Sequence, residues 1–236
     1  MIGIIGAMPV ELELLLDNTE VTAVREVSGM RFHSGWLCGR EVVLVQGGVG
    51  KVNAAMCAQT MILLYRPELV INVGVAGCLT DRLSVGDIAI ARDFVQYDVD
   101  SSALGDPVGM VSTVNRIDFP CAPHIVEAMR QTVEQMPDLK GSVVRIASGD
   151  RFNDDGETAE LIRGYFQAEV CEMEGCPIAQ VCFINGTDCA AMRGISDSTA
   201  GNHSAEYGLS RDMAAHNCAR ALMAFLKRNW EPETKA

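Results

Sequence analysis

The sequence lacks the features that mark several classes of protein. No apolar run reaches the ~18 residues that a membrane span requires, and no repeat or low-complexity segment is present. The 19 Lys and Arg residues are scattered and outnumbered by 31 Asp and Glu, which gives a net charge of −12. This negative field repels polyanions, so neither nucleic acid nor an anionic membrane is an expected partner.

Metal-binding and targeting patterns are also missing. The 9 cysteines form no C-x-x-C pair and have no nearby H-x3-H sequence, so no metal site is expected. Their apolar neighbours are typical of free cysteines in a reducing cytosol. The apolar start "MIGIIGAM" has no basic residue before it, which argues against a signal peptide. We therefore expect a cytoplasmic protein.

Apolar residues make up 48% of the 236 positions, which is enough for a large core. Strands are predicted at 2–8, 31–37, 41–47, 69–74, 87–95, 142–148 and 189–196, and helices at 50–65, 121–136, 157–166, 174–184 and 209–228. Strands separated by helices predict an α/β fold with a central mixed, largely parallel β-sheet flanked by helices. No composition break marks a linker before the polar tail, so residues 1–236 are expected to form a single domain.

Two glycine-rich loops follow apolar runs. The segment "GGVGKV" at 47–52 is not a phosphate loop, because that motif requires Gly at 45 and Ser or Thr at 52, and both positions are Val. Glycines here and in "VGVAGC" would let the backbone approach a ligand, although ordinary turns explain them equally well.

Three acids lie where strands end and helices begin, which is where ligands gather in α/β sheets. Glu11 follows the first strand in a helix opened by Pro9, Glu174 ends the strand of "EVCEMEG", and Asp197 ends that of "AAMRGISD". Taken singly, each has a structural explanation as a helix-dipole or capping residue. Their joint occurrence favours a site, whereas Glu172 is expected to be structural.

Eight segments carry a resemblance to a known family: "GIIGAMPVELELL", "GGVGKVNAA", "NVGVAGCL", "VGDI", "SGDRF", "EMEG", "AQVC" and "RGISD". Their order and spacing resemble those of the 5'-methylthioadenosine/S-adenosylhomocysteine nucleosidases of the nucleoside phosphorylase superfamily, from residue 2 to the final helix. The resemblance implies a nucleoside phosphorylase-like catalytic domain. The implied enzyme is an N-glycosyl hydrolase of methionine salvage that releases adenine from methylthioadenosine, S-adenosylhomocysteine or 5'-deoxyadenosine. It also implies no cofactor, and a homodimer whose neighbouring subunit completes the 5' pocket.

The resemblance further assigns roles to residues. Glu11 matches the general base that activates water, and Asp197 matches the acid that protonates N7 of adenine, supported by Ser196. Glu174 matches the carboxylate that holds the ribose hydroxyls. By the same resemblance, Phe152 stacks on adenine, the backbone of Asn153 meets the base edge, and Arg193 lies near the water. The other positions implied to bind substrate are Met8, Val49, Val75, Ala76, Met173 and Tyr207.

Several positions depart from the family pattern. Val75 stands where the family commonly has Ser, which removes a hydroxyl near the water. Leu104 and Asp106 replace an aromatic pair of the 5' pocket, so the preferred 5' group stays open. Asn153 replaces an apolar residue, a change expected to matter little if only its backbone binds.

Two alternatives remain at this point. A nucleoside phosphorylase would need cationic groups to hold phosphate, and apart from Arg193 the matching loops offer no evident Arg. A nucleoside-binding protein without catalysis would not need all of these acids in one site. The joint presence of Glu11, Glu174, Arg193 and Asp197 favours the hydrolase.

Overall fold

The computed structural model describes residues 1–153, 155–198, 203–228 and 230. Ten strands and six α-helices occur in these ranges. The strands are β1 (Ile2–Gly6), β2 (Thr19–Val27), β3 (Met30–Leu37), β4 (Arg40–Gln46), β5 (Leu69–Cys78), β6 (Ile88–Gln96), β7 (Asp118–Pro120), β8 (Gly141–Ser148), β9 (Val170–Glu172) and β10 (Asp188–Ser198). The helices are α1 (Pro9–Asp17), α2 (Lys51–Tyr65), α3 (Pro123–Glu134), α4 (Gly156–Phe166), α5 (Gly175–Asn185) and α6 (His203–Leu226).

All ten strands belong to one mixed sheet, in which β1 lies between β4 and β5. Strand β5 also pairs with β10 and β9, while β10 pairs with β6, and β8 joins β6 to β9. These five strands therefore close into a ring, and β1, β4, β3 and β2 extend from it as an open arm. The α/β fold with a mixed sheet flanked by helices is confirmed.

Burial explains which strands the sequence reveals. Strands β1 and β5 are almost wholly buried and read as continuous apolar runs, as expected for strands covered on both faces. Strand β2 was not predicted, because it is an exposed edge strand with no buried face. Its hairpin turn at Ser28 and Gly29, both with positive φ, is the local signal that could have located it.

Two further observations follow from burial. All nine cysteines are free and all but Cys38 are buried, which confirms that they pack as small apolar residues. Within the described ranges, no helix is both long and apolar enough to cross a membrane.

Candidate active site

A cavity opens at the carboxyl ends of β1, β5 and β10. Its wall is formed by residues from seven separate stretches of the chain. They are Ala7, Met8, Glu11, Val49, Val75, Ala76, Gly77, Arg151, Phe152, Asn153, Cys171, Glu172, Met173, Glu174, Ser196, Asp197 and Tyr207.

Glu11 is fixed at the base of α1. Pro9 starts this helix, and its first turn places the Glu11 side chain next to the free N–H groups of the preceding residues. Oε2 accepts hydrogen bonds from Ala7 N (2.7 Å) and Met8 N (2.9 Å), and Oε1 accepts one from Val75 N (3.0 Å). The carboxylate thus joins α1 to β5 and is only 3% exposed.

The glycines of "VGVAGC" are required by close approaches to two acids. A Cβ on Gly74 would overlap Glu11 Oε1 and Arg193 Nη1, and one on Gly77 would lie 2.7 Å from Asp197 Oδ2. No larger residue fits at either position unless a site carboxylate moves. These glycines therefore serve the site and are not ordinary turn residues.

Arg193 is completely buried behind the cavity wall. Its Nη2 donates to Asn72 Oδ1 and Glu172 Oε2 and lies 3.7 Å from Glu174 Oε2, while Nη1 lies 4.0 Å from Glu11 Oε1. Burial opposes the positive charge, but the carboxylates of Glu172, Glu174 and Glu11 together raise the pKa of Arg193. One guanidinium thus faces three carboxylates.

Glu172 holds the start of α5. Its Oε2 accepts hydrogen bonds from Glu174 N (2.9 Å) and Gly175 N (2.7 Å), and Ser148 Oγ donates to its Oε1. The same hydroxyl accepts from Cys176 N at 2.7 Å. These contacts match the structural role expected for Glu172, although the residue also reaches the cavity wall.

The sequence predicted that Glu174 ends a strand, and this prediction was wrong. Strand β9 stops at Glu172, and Glu174 is the N-cap residue of α5, with Oε1 accepting from Gly50 N at 2.9 Å. Burial raises the pKa of Glu174 to about 7, and the charge of Glu172 adds to this effect while Arg193 and the Gly50 N–H oppose it. Glu174 therefore changes its charge near neutral pH.

Asp197 is directed into the cavity by an irregularity in β10. The register with β5 shifts between Ile195 and Asp197, so that Ile195 pairs with Ala76 and Asp197 with Gly77. Such bulges re-aim side chains next to sites. Asp197 is 3% exposed, and Ser196 Oγ donates a hydrogen bond to its Oδ1 at 2.7 Å.

Aromatic and sulfur-containing side chains form another part of the wall. The rings of Phe152 and Tyr207 meet edge to face, with centroids 5.4 Å apart, and the Tyr207 hydroxyl donates to Met8 Sδ at 3.4 Å. Phe152 is 40% exposed, so it keeps area free for a planar ligand. Val49 and Val75 complete this apolar side.

All the site residues predicted from the sequence line the cavity except Arg193, which contacts the carboxylates from behind. Residues that line it without having been predicted for the site are Ala7, Gly77, Arg151, Cys171 and Glu172. The interpretation that the matching loops offer no Arg besides Arg193 was wrong. Arg151, within the "SGDRF" motif, lines the cavity and pairs with Asp155 at 2.7 Å.

Known proteins resemble the chain over almost its whole length. Residues 1–227 match the model of the phosphorylase superfamily, which defines the class of protein. The nucleosidase of Geobacillus thermodenitrificans for 5'-methylthioadenosine and S-adenosylhomocysteine is 36% identical over 95% of both chains. That of Shewanella sp. strain MR-7 is 33% identical over 96% of both. The structure of the Neisseria meningitidis enzyme with methylthio-immucillin-A superposes with a TM-score of 0.90, at 30% identity over 96% of this chain and 98% of that one.

Full-length coverage at this level of identity shows the family. The chain belongs to the 5'-methylthioadenosine/S-adenosylhomocysteine nucleosidases of the phosphorylase superfamily.

Proposed function

We propose that this protein hydrolyses the N-glycosidic bond of 5'-substituted adenosines and releases adenine. The substrates we propose are methylthioadenosine, S-adenosylhomocysteine and 5'-deoxyadenosine. The observation that carries the proposal is the burial of Glu11, Glu174 and Asp197 around one cavity, each on a different element. The relatives are nucleosidases, which favours hydrolysis over phosphorolysis and over binding alone.

Asp197 acts as the acid. Adenine is a poor leaving group as an anion, so the glycosidic bond breaks readily only when N7 receives a proton. Asp197 donates that proton, and its second oxygen accepts from the 6-amino group of the base. The hydrogen bond from Ser196 Oγ keeps the carboxyl group oriented toward the cavity.

Glu11 acts as the base for the attacking water. Its three backbone N–H donors hold both oxygens in place, and Oε1, which accepts only one of them, keeps a lone pair free for a water molecule. Arg193 Nη1, 4.0 Å from Oε1, sets the position of the carboxylate from behind. Val75 contributes its N–H here but no hydroxyl, so water is held by fewer groups than in relatives with Ser.

The charge of the site stabilises the transition state. Bond cleavage builds positive charge on the ribose, and the carboxylates of Glu11, Glu172 and Glu174 outnumber the guanidinium of Arg193 that they share. The excess negative charge stabilises the cationic sugar more than the neutral substrate, which is what catalysis requires.

Glu174 holds the ribose. Its ionised carboxylate accepts hydrogen bonds from both hydroxyls of the diol, and Met173 packs against the sugar. Phe152 stacks on the adenine ring. Met8, Val49 and Tyr207 enclose the ribose and the 5' substituent, with Val75 and Ala76 on the strand below.

We propose a homodimer that uses α2 and α5. Helix α2 buries its small residues in the core, but Val52, Met56 and Leu63 stay 78%, 40% and 67% exposed. Phe183 and Ile184 of α5 add exposed apolar area next to them. A helix that is apolar on all sides needs a second partner. Sedimentation at micromolar concentration should give a dimer; a stable monomer would contradict this assignment.

The dimer also explains the segment 100–112. None of its residues is among those described as lining the cavity of the same chain, and Leu104 is 88% exposed. We infer that this segment completes the 5' pocket of the neighbouring subunit. Asp106, which accepts from Ser112 Oγ at 2.6 Å, then lies near the variable group of the substrate.

The remaining assignments concern the whole chain. We propose that residues 1–236 act as one catalytic domain, in the cytoplasm, in methionine salvage. The enzyme needs no metal or cofactor, and neither nucleic acid nor membrane is a partner, since the net charge of −12 repels both.

The test is adenine release from the purified protein with methylthioadenosine, S-adenosylhomocysteine or 5'-deoxyadenosine, with and without phosphate. We expect release without phosphate that is abolished in Asp197→Asn, a variant of equal size that carries no acidic proton. A requirement for phosphate would indicate a phosphorylase. Nucleoside binding without any release would indicate a binding protein.

A further inference from the structure

A closed ring of polar contacts lies beside the cavity. Lys51 is the first residue of α2, and its Nζ donates to Asp98 Oδ1 at 2.6 Å. Its backbone N–H donates to Asp150 Oδ1 at 2.7 Å, and Asp98 Oδ2 accepts from Asp150 N at 2.9 Å. Within the described ranges, none of these three residues lines the cavity. The steps of hydrolysis make no use of their side chains.

The sheet brings the two aspartates of the ring together. Strands β6 and β8 are parallel neighbours, and Gln96 at the end of β6 pairs with Ser148 at the end of β8. Asp98 and Asp150 each follow two residues later, so they leave the same edge of the sheet side by side. The side chains of Lys51 and Asp98 are 17% and 29% exposed. Salt screens a partly buried ion pair of this kind less than an exposed one.

The ring fixes one end of the glycine loop in front of α2. Gly47 N donates to Gly6 O at 2.8 Å, which holds the start of the loop. Gly48 and Gly50 have positive φ, and Gly50 is the N-cap of α2. Glycine loses more conformational freedom on ordering than any other residue, so this loop needs a second fixed end. Lys51 supplies it through its backbone N–H and its side chain.

Gly50 is the point at which this loop meets the site. Its N–H donates to Glu174 Oε1 at 2.9 Å. Among the described residues this is the one hydrogen bond to the Glu174 carboxylate, since Arg193 Nη2 lies 3.7 Å from Oε2. The orientation of that carboxylate therefore depends on where the loop holds the Gly50 N–H.

Lys51 is also tied to the helix that Glu174 caps. Its Nζ donates to Gln96 Oε1 at 3.1 Å, and Gln96 Nε2 donates to Gln180 Oε1 on α5 at 2.7 Å. An ammonium group has three donors, so Lys51 binds Asp98 and Gln96 at once. One side chain thus holds both the loop that donates to Glu174 and the helix on which Glu174 lies.

We propose that Lys51 is a positioning residue for Glu174. Through Asp98 and Asp150 it fixes the Gly50 N–H, and that N–H turns the carboxylate so that its remaining lone pairs face the ribose diol. Lys51 contacts neither the substrate nor the reacting atoms. The inference deepens the proposed function and rests on it.

The experiment measures adenine release from 5'-methylthioadenosine between about pH 5.5 and pH 9. Lys51→Met keeps the length of the side chain without its charge, and Asp98→Ala opens the ring from the other side. Lys51→Arg is the conservative variant, and Lys140→Met is the matched control at an exposed lysine. Melting temperatures show that each variant is folded.

We expect kcat/KM at pH 7 to fall about tenfold in Lys51→Met and in Asp98→Ala, as for the loss of one hydrogen bond to a charged group. Lys51→Arg should recover most of this loss, because it keeps the charge and the donors. Lys140→Met should match the wild type. A wild-type rate in Lys51→Met would overturn the inference.

The pH profile reports the state of Glu174 directly. The groups that face its carboxyl are Glu172, Glu11, Arg193 and the Gly50 N–H, and this N–H opposes the rise of the Glu174 pKa to about 7. A loosened loop removes that opposition and raises the pKa further. The rise of kcat/KM with pH should therefore move to higher pH in the variants that open the ring.

The direction of this shift separates positioning from charge. Removal of charge alone would move the rise to higher pH in Lys51→Met, which loses a cation, but to lower pH in Asp98→Ala, which loses an anion. Loss of the anchor predicts a shift to higher pH in both variants. A shift to lower pH in Asp98→Ala would overturn the inference.

A double-mutant cycle shows whether Lys51 acts through Glu174. In a Glu174→Ala background, which has no acceptor for the Gly50 N–H, Lys51→Met should change kcat/KM less than about twofold. An equal loss in both backgrounds would assign Lys51 a general structural role and overturn the inference, while the proposed function would stand. If the wild type itself released no adenine, the proposed function would fail, and the inference with it.

Discussion

The substitution Glu174→Gln tests how much a buried carboxyl beside other acids lowers the free energy of unfolding. The pKa of Glu174 is raised from 4.5 to about 7, chiefly by burial and then by the charge of Glu172. A carboxyl whose pKa is raised on folding binds its proton more tightly in the folded state than in the unfolded state. The free energy of unfolding therefore falls as the pH rises from about 4.5 to 7 and is constant above that, as far as this group is concerned.

The size of the effect follows from the two pKa values. One pKa unit corresponds to ~1.4 kcal/mol, so the full loss is about 3 kcal/mol. Glutamine has the same size as Glu174 but carries no titrating proton, so the variant does not suffer this loss. Between pH 5 and pH 8, the free energy of unfolding of Glu174→Gln should increase by ~2–3 kcal/mol relative to that of the wild type.

The assay is urea unfolding of both proteins at pH 5 and pH 8. Glu13→Gln on the exposed side of α1 is the matched control, because it also removes one carboxylate. Activity offers a second readout. Wild-type kcat/KM should rise with pH through about 7 as Glu174 ionises to hold the diol, and the variant should be slow and lack this rise. A difference in stability between variant and wild type that stays the same at both pH values would refute the reasoning.

Two further predictions concern residues that shape the site. Gly74→Ala should abolish activity, because the new Cβ overlaps Glu11 Oε1, whereas Gly164→Ala on α4 has open space and should leave activity unchanged while stabilising the fold by ~0.5–1 kcal/mol. Ser148→Ala removes the hydroxyl that donates to Glu172 and accepts from the Cys176 N–H. The free energy of unfolding, measured by calorimetry, should therefore fall by about 1–3 kcal/mol. An unchanged melting temperature would show that water replaces the hydroxyl.

Sequence periodicity located the elements whose boundaries are set by neighbouring residues or by a continuous apolar run. Helix α2 was predicted at 50–65 and spans Lys51–Tyr65, because its boundaries are set by a glycine loop and by apolar content. Strand β5 was predicted to end at Gly74 but continues to Cys78. There, β10 and β9 pair with it, and such long-range pairing overrides the local turn preference of glycine.

The site was predictable as a set of residues but not as a network. Motif resemblance indicated Glu11, Glu174 and Asp197, and all three line one cavity. The sequence could not reveal that Asn153 Oδ1 accepts no hydrogen bond within the described part of the chain, since that depends on the rotation of one side chain against Cys171. The contact between Asn153 and Cys171 joins residues 18 positions apart, and no pattern of residue spacing in the sequence predicts it.

The charge balance at Arg193 explains why the pattern "EMEG" contains two acids with different tasks. Glu172 and Glu174 are two residues apart, and both face the same guanidinium, yet only Glu172 makes the close ion pair. Its oxygens are occupied by Arg193, Ser148 and two N–H groups at the start of α5, which hold the side chain in place. The Glu172 charge then raises the pKa of Glu174 and leaves that carboxyl with oxygen capacity for a ligand. One acid therefore supplies a fixed negative charge, and the other keeps its oxygens available for a ligand.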